Sequence, residues 1–289
     1  MDRRSFFKTT ALAGAALSTK KLNAKGIKED KEFYGVLVDT TKCIGCRECE
    51  IACSEEHGLK VPDVMNDNAH EKLRTTSETR FTVVNKFKTD KGDVYVKKQC
   101  MHCWQPACTA ACLTNAMYKT KEGPVIWRED KCMGCRFCML SCPFEIPKFE
   151  YNEWNPKIQK CNMCYERFQE GKQPACVSAC PTDAITFGLK RELMEIARNR
   201  VYGHPDKYTH QIYGEYEVGG TGWLYLSSVP FDQIGFRTDL GTTPSPEFTK
   251  DFLYNVPIIL FGVPALLLGL NALSERKNEL SKDKEWEND

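Results

Sequence analysis

The chain has 289 residues, with 40 basic and 39 acidic side chains and a net charge of +1. That balance leaves no electrostatic footprint for a nucleic-acid partner, and a mean hydropathy of −0.46 confines any membrane segment to a local stretch. The unusual number is 16 cysteines.

The chain opens Met-Asp-Arg-Arg-Ser-Phe-Phe-Lys and then runs through small and apolar residues at 9–18, with no acid between Asp2 and Glu29. Adjacent arginines before a modest apolar segment predict a twin-arginine export signal over residues 1–30. The alternative is the basic N-terminus of a cytosolic protein. No Ala-x-Ala triplet follows the apolar run to mark a cleavage site, and Leu22-Asn23-Ala24 is a poor substitute. In an exported chain many cysteines ordinarily mean disulfides. Twin-arginine export carries folded proteins, so a cofactor can be inserted in the cytoplasm first.

Residues 33–41 read as a strand leading into a first cysteine run, Cys43-x2-Cys46-x2-Cys49-x3-Cys53. Two β-rich stretches at 81–87 and 94–96, separated by Thr-Asp-Lys-Gly-Asp, predict a hairpin. The second run is Cys100-x2-Cys103-x4-Cys108-x3-Cys112, and the third is Cys132-x2-Cys135-x2-Cys138-x3-Cys142 followed by Pro143. The fourth, Cys161-x2-Cys164-x11-Cys176-x3-Cys180-Pro181, carries a long loop before its third member. No cysteine is left over.

The third run has the bacterial ferredoxin spacing for a 4Fe–4S cluster. A cube of iron and sulfide needs thiolates on several corners, so a tight loop wraps three of them and the fourth arrives from elsewhere. Gly134 and its counterpart Gly45 suit a loop in which φ turns positive. Zinc also takes four cysteines, but structural zinc sites more often pair two Cys-x2-Cys knuckles across a longer gap. An internal repeat aligns Cys112-Leu-Thr-Asn-Ala-Met with Cys180-Pro-Thr-Asp-Ala-Ile, and Leu113 stands where proline is expected. That substitution bears on a local turn, not on the ligand.

Each run predicts a loop, a short helix starting near the fourth cysteine, and a short strand, the strands falling at 125–127 and 185–187. Two such halves make one ferredoxin domain, so four runs make two. The gaps of 19 residues between the second and third runs and 18 between the third and fourth leave sequential and nested pairing equally open.

Residues 190–200 place Leu193, Ile196 and Ala197 on one face of an amphipathic helix. Residues 202–250 read as a linker or cover, with a strand at 223–229. Residues 252–274 then hold 23 residues without a charge, enough at about 1.5 Å per residue to cross a hydrocarbon layer of about 30 Å. Pro257 and Pro264 are tolerated in a membrane helix whose neighbours satisfy the freed carbonyls, and Ala265 with Gly269 hints at a packed neighbour. Arg276, Lys277, Lys282 and Lys284 follow the span, against Arg237 and Lys250 before it, so the tail is expected on the cytoplasmic side.

His102, inside Cys100-Met-His-Cys103, is expected near a site or at the surface rather than as a ligand. His57, His70, His204 and His210 are expected to be solvated. Trp104, Trp127, Trp154 and Trp223 suit packing around a small core better than an electron path. Lys97, Lys98, Lys157 and Lys160 could tune potentials or dock a partner, with a solvated face as the default. No nucleophile–base pair stands out, and Gly219-Gly220-Thr221-Gly222 is a weak match to any phosphate loop. The chain offers wires rather than a substrate pocket.

With these residues in view, the sequence resembles the four-cluster iron–sulfur subunits of the molybdopterin (DMSO reductase/formate dehydrogenase) class, and within them the periplasmic electron-transfer subunits of hydrogenase-2 type. The resemblance rests on Asp-Arg-Arg-Ser-Phe-Phe-Lys, Tyr95-Val-Lys-Lys-Gln-Cys-Met-His-Cys103 and residues 132–143. Phe187-Gly-Leu-Lys-Arg-Glu-Leu-Met194, Tyr213-Gly-Glu-Tyr-Glu-Val-Gly-Gly-Thr221 and the C-terminal span extend it over nearly the whole chain.

The resemblance implies an α+β fold: two ferredoxin-like (bacterial two-cluster) domains with nested cysteine runs, plus one C-terminal transmembrane helix. An outer domain takes 31–95 with 150–190 and an inner one 96–149. Residues 191–250 form a linker or cover, 251–275 the membrane helix and 276–289 a cytoplasmic tail. Four 4Fe–4S clusters are implied, held by Cys43, Cys46, Cys49 and Cys180; by Cys53, Cys161, Cys164 and Cys176; by Cys100, Cys103, Cys108 and Cys142; and by Cys112, Cys132, Cys135 and Cys138. The chain would have no catalytic site of its own. It would pass electrons between a periplasmic catalytic subunit, a nickel–iron hydrogenase by preference, and a multi-span quinone-reactive membrane subunit. The alternatives are the same role beside a molybdenum or tungsten enzyme such as formate dehydrogenase, and a zinc-stabilised membrane scaffold.

Overall fold

The computed structural model describes residues 32–65 and 67–286, with side chains placed through residue 278. The twin-arginine segment lies outside the described residues. A three-stranded sheet has β1 (Tyr34–Asp39) at its centre, with β8 (Ile185–Leu189) antiparallel on one side and β9 (Trp223–Leu226) parallel on the other. Side chains alternate across a strand. Val36 and Val38 therefore enter one apolar cluster with Trp223, Tyr225 and Ile185, while Leu37 enters another with Leu224 and Leu226.

The second cluster is closed by α6 (Lys190–Gly203), which contributes Leu193, Ala197 and Val201 at four-residue spacing. Ile196, expected on that face, turns outward and is 37 % exposed. Each fully buried leucine or valine here contributes about 1.5–3 kcal/mol. Asp39 ends β1 as a fully buried carboxylate, accepting hydrogen bonds from Tyr208 Oη at 2.8 Å and Thr41 Oγ1 at 2.6 Å and pairing with Arg200 at 3.1 Å.

The hairpin forms where expected but longer: β2 (Val83–Thr89) pairs with β3 (Gly92–Lys98) around Asp90-Lys91. Its Val84, Val94 and Val96 enter the first cluster. The hairpin is fastened to α1 (Glu48–Glu56) by one buried carboxylate. Glu50 accepts the Val84 N–H at 2.5 Å and pairs with Arg74 at 2.6 Å and Arg47 at 2.9 Å.

Two shorter ladders follow, β4 (Met117–Lys119) with β5 (Val125–Trp127) and β6 (Lys148–Phe149) with β7 (Ile158–Gln159). The strand after the second run is therefore β4, and residues 125–127 return to pair with it before the third. Residues 202–250 do more than connect: besides β9 they supply Tyr213, Phe231 and Ile234 to the first cluster. Last comes α7 (Glu247–Trp286), which holds Pro257 and Pro264 and continues past residue 275 into the expected tail. Among the described residues it is one helix long and apolar enough to cross a membrane, and its apolar side chains stay uncovered by the rest of the chain.

Candidate iron–sulfur sites

A common backbone device recurs in all four cysteine runs. A helix begins one residue before the third cysteine: at Glu48 before Cys49, and in α2 (Ala107–Ala110) before Cys108. The same holds in α3 (Phe137–Leu140) before Cys138 and in α5 (Ala175–Ser178) before Cys176. The helices therefore start at the third cysteine and not near the fourth. The entry residue explains this. Arg47 and Arg136, with φ of 64° and 62°, turn the chain through the left-handed region in the first and third runs. In the second and fourth runs the helix is entered instead through Pro106 and Pro174, whose φ of −74° and −53° lies outside the left-handed region. The long loop of the fourth run is shortened by its own helix, α4 (Tyr165–Gln169).

Gly45 and Gly134 have φ of 74° and 69°, the region that glycine occupies without strain. The two differ in surroundings. A Cβ on Gly45 would lie 2.4 Å from the Tyr95 ring, whereas one on Gly134 would meet open space. The internal repeat also has a geometric meaning: Asn115 and Asp183, at the same offset, both adopt positive φ, and Asn and Asp are the side chains that tolerate it best. Thr114 and Thr182 bring their hydroxyls to 3.7 and 3.8 Å from Cys112 and Cys180 sulfur. The exposed Leu113 leaves this turn unchanged in the place of proline.

All sixteen cysteines are free thiols. One cavity is walled by Cys43, Cys46, Cys49 and Cys180, and a second by Cys112, Cys132, Cys135 and Cys138. The remaining eight lie in one another's fields. Cys53 lies in the field of Cys161, Cys176 and Cys164, and Cys103 in that of Cys100, Cys142 and Cys108. Cys53, Cys100 and Cys161 share one buried cluster with Cys142 against it. Cys46 and Cys135 are exposed, whereas Cys53, Cys161, Cys164 and Cys176 are all buried.

Among the described residues, no three His, Cys, Asp or Glu side chains converge tightly enough to hold a single metal ion. A structural zinc site needs its thiolates about 2.3 Å from one point. Thiols spread around the walls of a cavity fit a cluster instead. Burial pushes the Cys108 and Cys161 thiols up to about 12 and the Cys138 and Cys164 thiols up to about 11. Without metal these groups stay protonated, and ligation releases the protons. Cys112 moves the other way. Its burial is outweighed by N–H donors from Met117 and Ala116 at 3.4 and 3.2 Å and by the Thr114 hydroxyl, which lower its pKa.

Two of the four lysines singled out beside the runs depart from the solvated default. Lys97 and Lys160 are buried, and Lys157 stays half-exposed in an ion pair with Glu129 at 3.1 Å. Lys160 Nζ donates to the carbonyls of Val125 and, at 2.9 Å, Cys161. Lys119 Nζ donates to the Cys103 carbonyl at 2.9 Å, and burial lowers its pKa to about 8. His102 is buried too, accepting the Val125 N–H on Nδ1 at 2.8 Å. Burial, with the charges of Lys160, Lys119 and Lys97, holds it well below its ordinary range and neutral.

His57 brings Nε2 within 3.8 Å of Cys164 sulfur, and His70 Nε2 contacts the Gly45 carbonyl at 3.1 Å, while His204 and His210 are exposed. Trp223 is a core residue and Trp154 is fully exposed, packing against nothing. Polarity in the local sequence hides Lys97, Lys160 and His57. The one available signal was their distance of a few residues from cysteines.

Residues 93–190, which include the second, third and fourth runs, match the family model of the 4Fe-4S dicluster domain. The chain is 44 % identical over 271 residues to a protein of Nitratidesulfovibrio vulgaris, covering 90 % of this chain and 73 % of that one. It is 33 % identical over 296 residues to the hydrogenase-2 operon protein HybA of Escherichia coli O157:H7, covering 88 % of this chain and 90 % of the relative. It is also 33 % identical over 207 residues to the iron-sulfur subunit of the nitrate-inducible formate dehydrogenase of Escherichia coli K12, covering 69 % and 70 %. The chain therefore belongs to the family of iron–sulfur electron-transfer subunits of hydrogenase and formate dehydrogenase type, and it is not the catalytic subunit of such a complex.

Proposed function

We propose that the chain holds four 4Fe–4S clusters in two ferredoxin-like domains with nested ligands. The first site takes Cys43, Cys46, Cys49 and Cys180, the second Cys53, Cys161, Cys164 and Cys176, the third Cys100, Cys103, Cys108 and Cys142, and the fourth Cys112, Cys132, Cys135 and Cys138. The observation that carries this reading is the pair of cavities walled by the first and fourth sets. The mutual fields within the other two sets support the rest. A bound 4Fe–4S cluster supplies one-electron chemistry at a potential set by hydrogen bonds to sulfur, local charge and exposure.

The chain's own part is to order the sites. Cys49 of the first set lies in the field of Cys176 of the second, Cys161 of the second in that of Cys100 of the third, and Cys108 of the third in that of Cys138 of the fourth. No cysteine of the two middle sets is exposed, and the exposed Cys46 and Cys135 leave the end sets facing outward, where partners would meet them.

One partner is a nickel–iron hydrogenase on the periplasmic side and the other a membrane subunit that handles quinone. The long match to the hydrogenase-2 operon protein favours this choice, and the match to the formate dehydrogenase subunit keeps a molybdenum or tungsten partner as the second reading. Export would follow from the twin-arginine segment, and α7 would anchor the chain in the inner membrane with its tail in the cytoplasm. A single-metal scaffold is disfavoured by thiols that surround cavities instead of meeting at a point. Metal analysis of the anaerobically purified complex tests the reading. About sixteen irons per chain are expected, with nickel present and molybdenum and tungsten absent. The reverse metals would replace the hydrogenase by the second reading, and a colourless zinc protein would end both.

A further inference from the structure

Lys97 is 2 % exposed. Its Nζ donates to Thr82 Oγ1 at 2.7 Å and to Gln99 Oε1 at 3.0 Å, and it lies 4.7 Å from the centroid of the Trp223 ring. All three partners are neutral, and among the described residues no carboxylate pairs with it. A buried ammonium without a counter-ion is among the most expensive arrangements a fold can hold.

The ammonium is nonetheless locked in place. Gln99 Nε2 donates to Tyr225 Oη at 2.5 Å, and that hydroxyl donates back to the Lys97 carbonyl at 2.9 Å. The ring of hydrogen bonds is closed and buried, so the charge cannot swing out to water. What it faces is sulfur. Lys97 lines the cavity walled by Cys43, Cys46, Cys49 and Cys180, and its charge also acts on Cys176 and Cys161. Those two cysteines belong to the neighbouring set.

We propose that Lys97 is a fixed counter-cation shared by two adjacent cluster sites, one held by Cys43, Cys46, Cys49 and Cys180 and one by Cys53, Cys161, Cys164 and Cys176, and that it raises the reduction potential of both. A cluster with four thiolate ligands is anionic and becomes more so on gaining an electron. A fixed positive charge in a low-dielectric interior therefore favours the reduced form. The missing counter-ion is the cluster pair itself. This inference rests on the nested ligand sets proposed above.

The test is a redox titration followed by electron paramagnetic resonance on the purified full-length complex, comparing wild type with Lys97→Met, Lys97→Arg and the half-exposed control Lys157→Met. Lys97→Met is expected to shift two of the four potentials negative and leave the other two in place, with Lys97→Arg and Lys157→Met close to wild type. Four unmoved potentials, or an equal shift of all four, would overturn the proposal. If Lys97→Met loses iron, retention of iron by Lys97→Arg supports a requirement for charge, and loss in both marks a packing role and overturns it. A wild-type complex with fewer than four clusters would fail the four-cluster reading itself, whatever Lys97 does.

Discussion

Val38 lies opposite Ile185 in an antiparallel ladder, so the strand that leads into the first cysteine run pairs with the strand that leaves the fourth. Inside that closure, Tyr118 pairs with Ile126, joining the end of the second run to the start of the third. The β1–β8 ladder thus encloses the second and third runs between the first and the fourth. The nested ligand sets proposed above follow that outer order.

The two loop glycines are expected to differ under substitution. Gly134→Ala adds only the strain of a positive φ, about 1 kcal/mol, to an open site. Gly45→Ala adds a collision with the Tyr95 ring as well. Thermal melts of the cluster-loaded proteins should fall further for Gly45→Ala, and Tyr95→Ala should recover part of that loss. Equal losses for the two glycines would contradict the packing described for Gly45.

Glu50 carries the junction between α1 and the hairpin. Glu50→Ala leaves two guanidinium groups, on Arg47 and Arg74, without their shared partner, and breaking a buried pair of this kind costs about 3–5 kcal/mol. Although burial alone would raise the Glu50 pKa, the hydrogen bonds from Arg74 and Arg47 lower it. A carboxylate depressed in the folded state contributes stability above its unfolded pKa and loses it as pH falls through the folded value. Melting temperature should therefore drop on acidification more steeply in wild type than in Glu50→Gln, which lacks this titration. Parallel pH profiles would count against the assignment.

At the end of β1, the Tyr208 hydroxyl donates to a carboxylate with no exposure to water. Tyr208→Phe should cost about 1.5–3 kcal/mol, the range for a hydrogen bond to a charged group. In a double-mutant cycle with Asp39→Asn the two losses should be non-additive. Additive losses would show that the bond contributes nothing to stability.

What the sequence made legible was local. Positive φ at Gly45 and Gly134, the strand at β1 and the hairpin follow from spacing and from residues with narrow conformational preferences. The helix starts were misplaced because their determinants are single entry residues, Arg47, Arg136, Pro106 and Pro174, read only once the third cysteine is seen to lie inside the helix. Ile196 was assigned to the buried face because it is apolar, whereas the sheet accepts only Leu193, Ala197 and Val201.

Lys97 and Lys160 looked like surface residues because a lysine in a polar stretch usually is one. Their burial depends on strands and loops brought from far along the chain, such as Tyr225 against Lys97. The same holds for Tyr213 and Trp223, core residues in a segment whose sequence shows scattered glycine, tyrosine and proline and no periodicity.

The nesting of ligands is tested most directly by Cys142→Ser, read by electron paramagnetic resonance against Cys100→Ser and Cys132→Ser as references. Cys142 closes the third run, yet the account assigns it to the cluster of Cys100, Cys103 and Cys108. The spectrum of Cys142→Ser should therefore lose or alter the same signal as Cys100→Ser and keep the one altered in Cys132→Ser. A Cys142→Ser spectrum that keeps the signal altered in Cys100→Ser and changes that of the Cys161 cluster would mean sequential pairing. One matching Cys132→Ser would mean that the third run holds its own cluster, and either would contradict nested pairing.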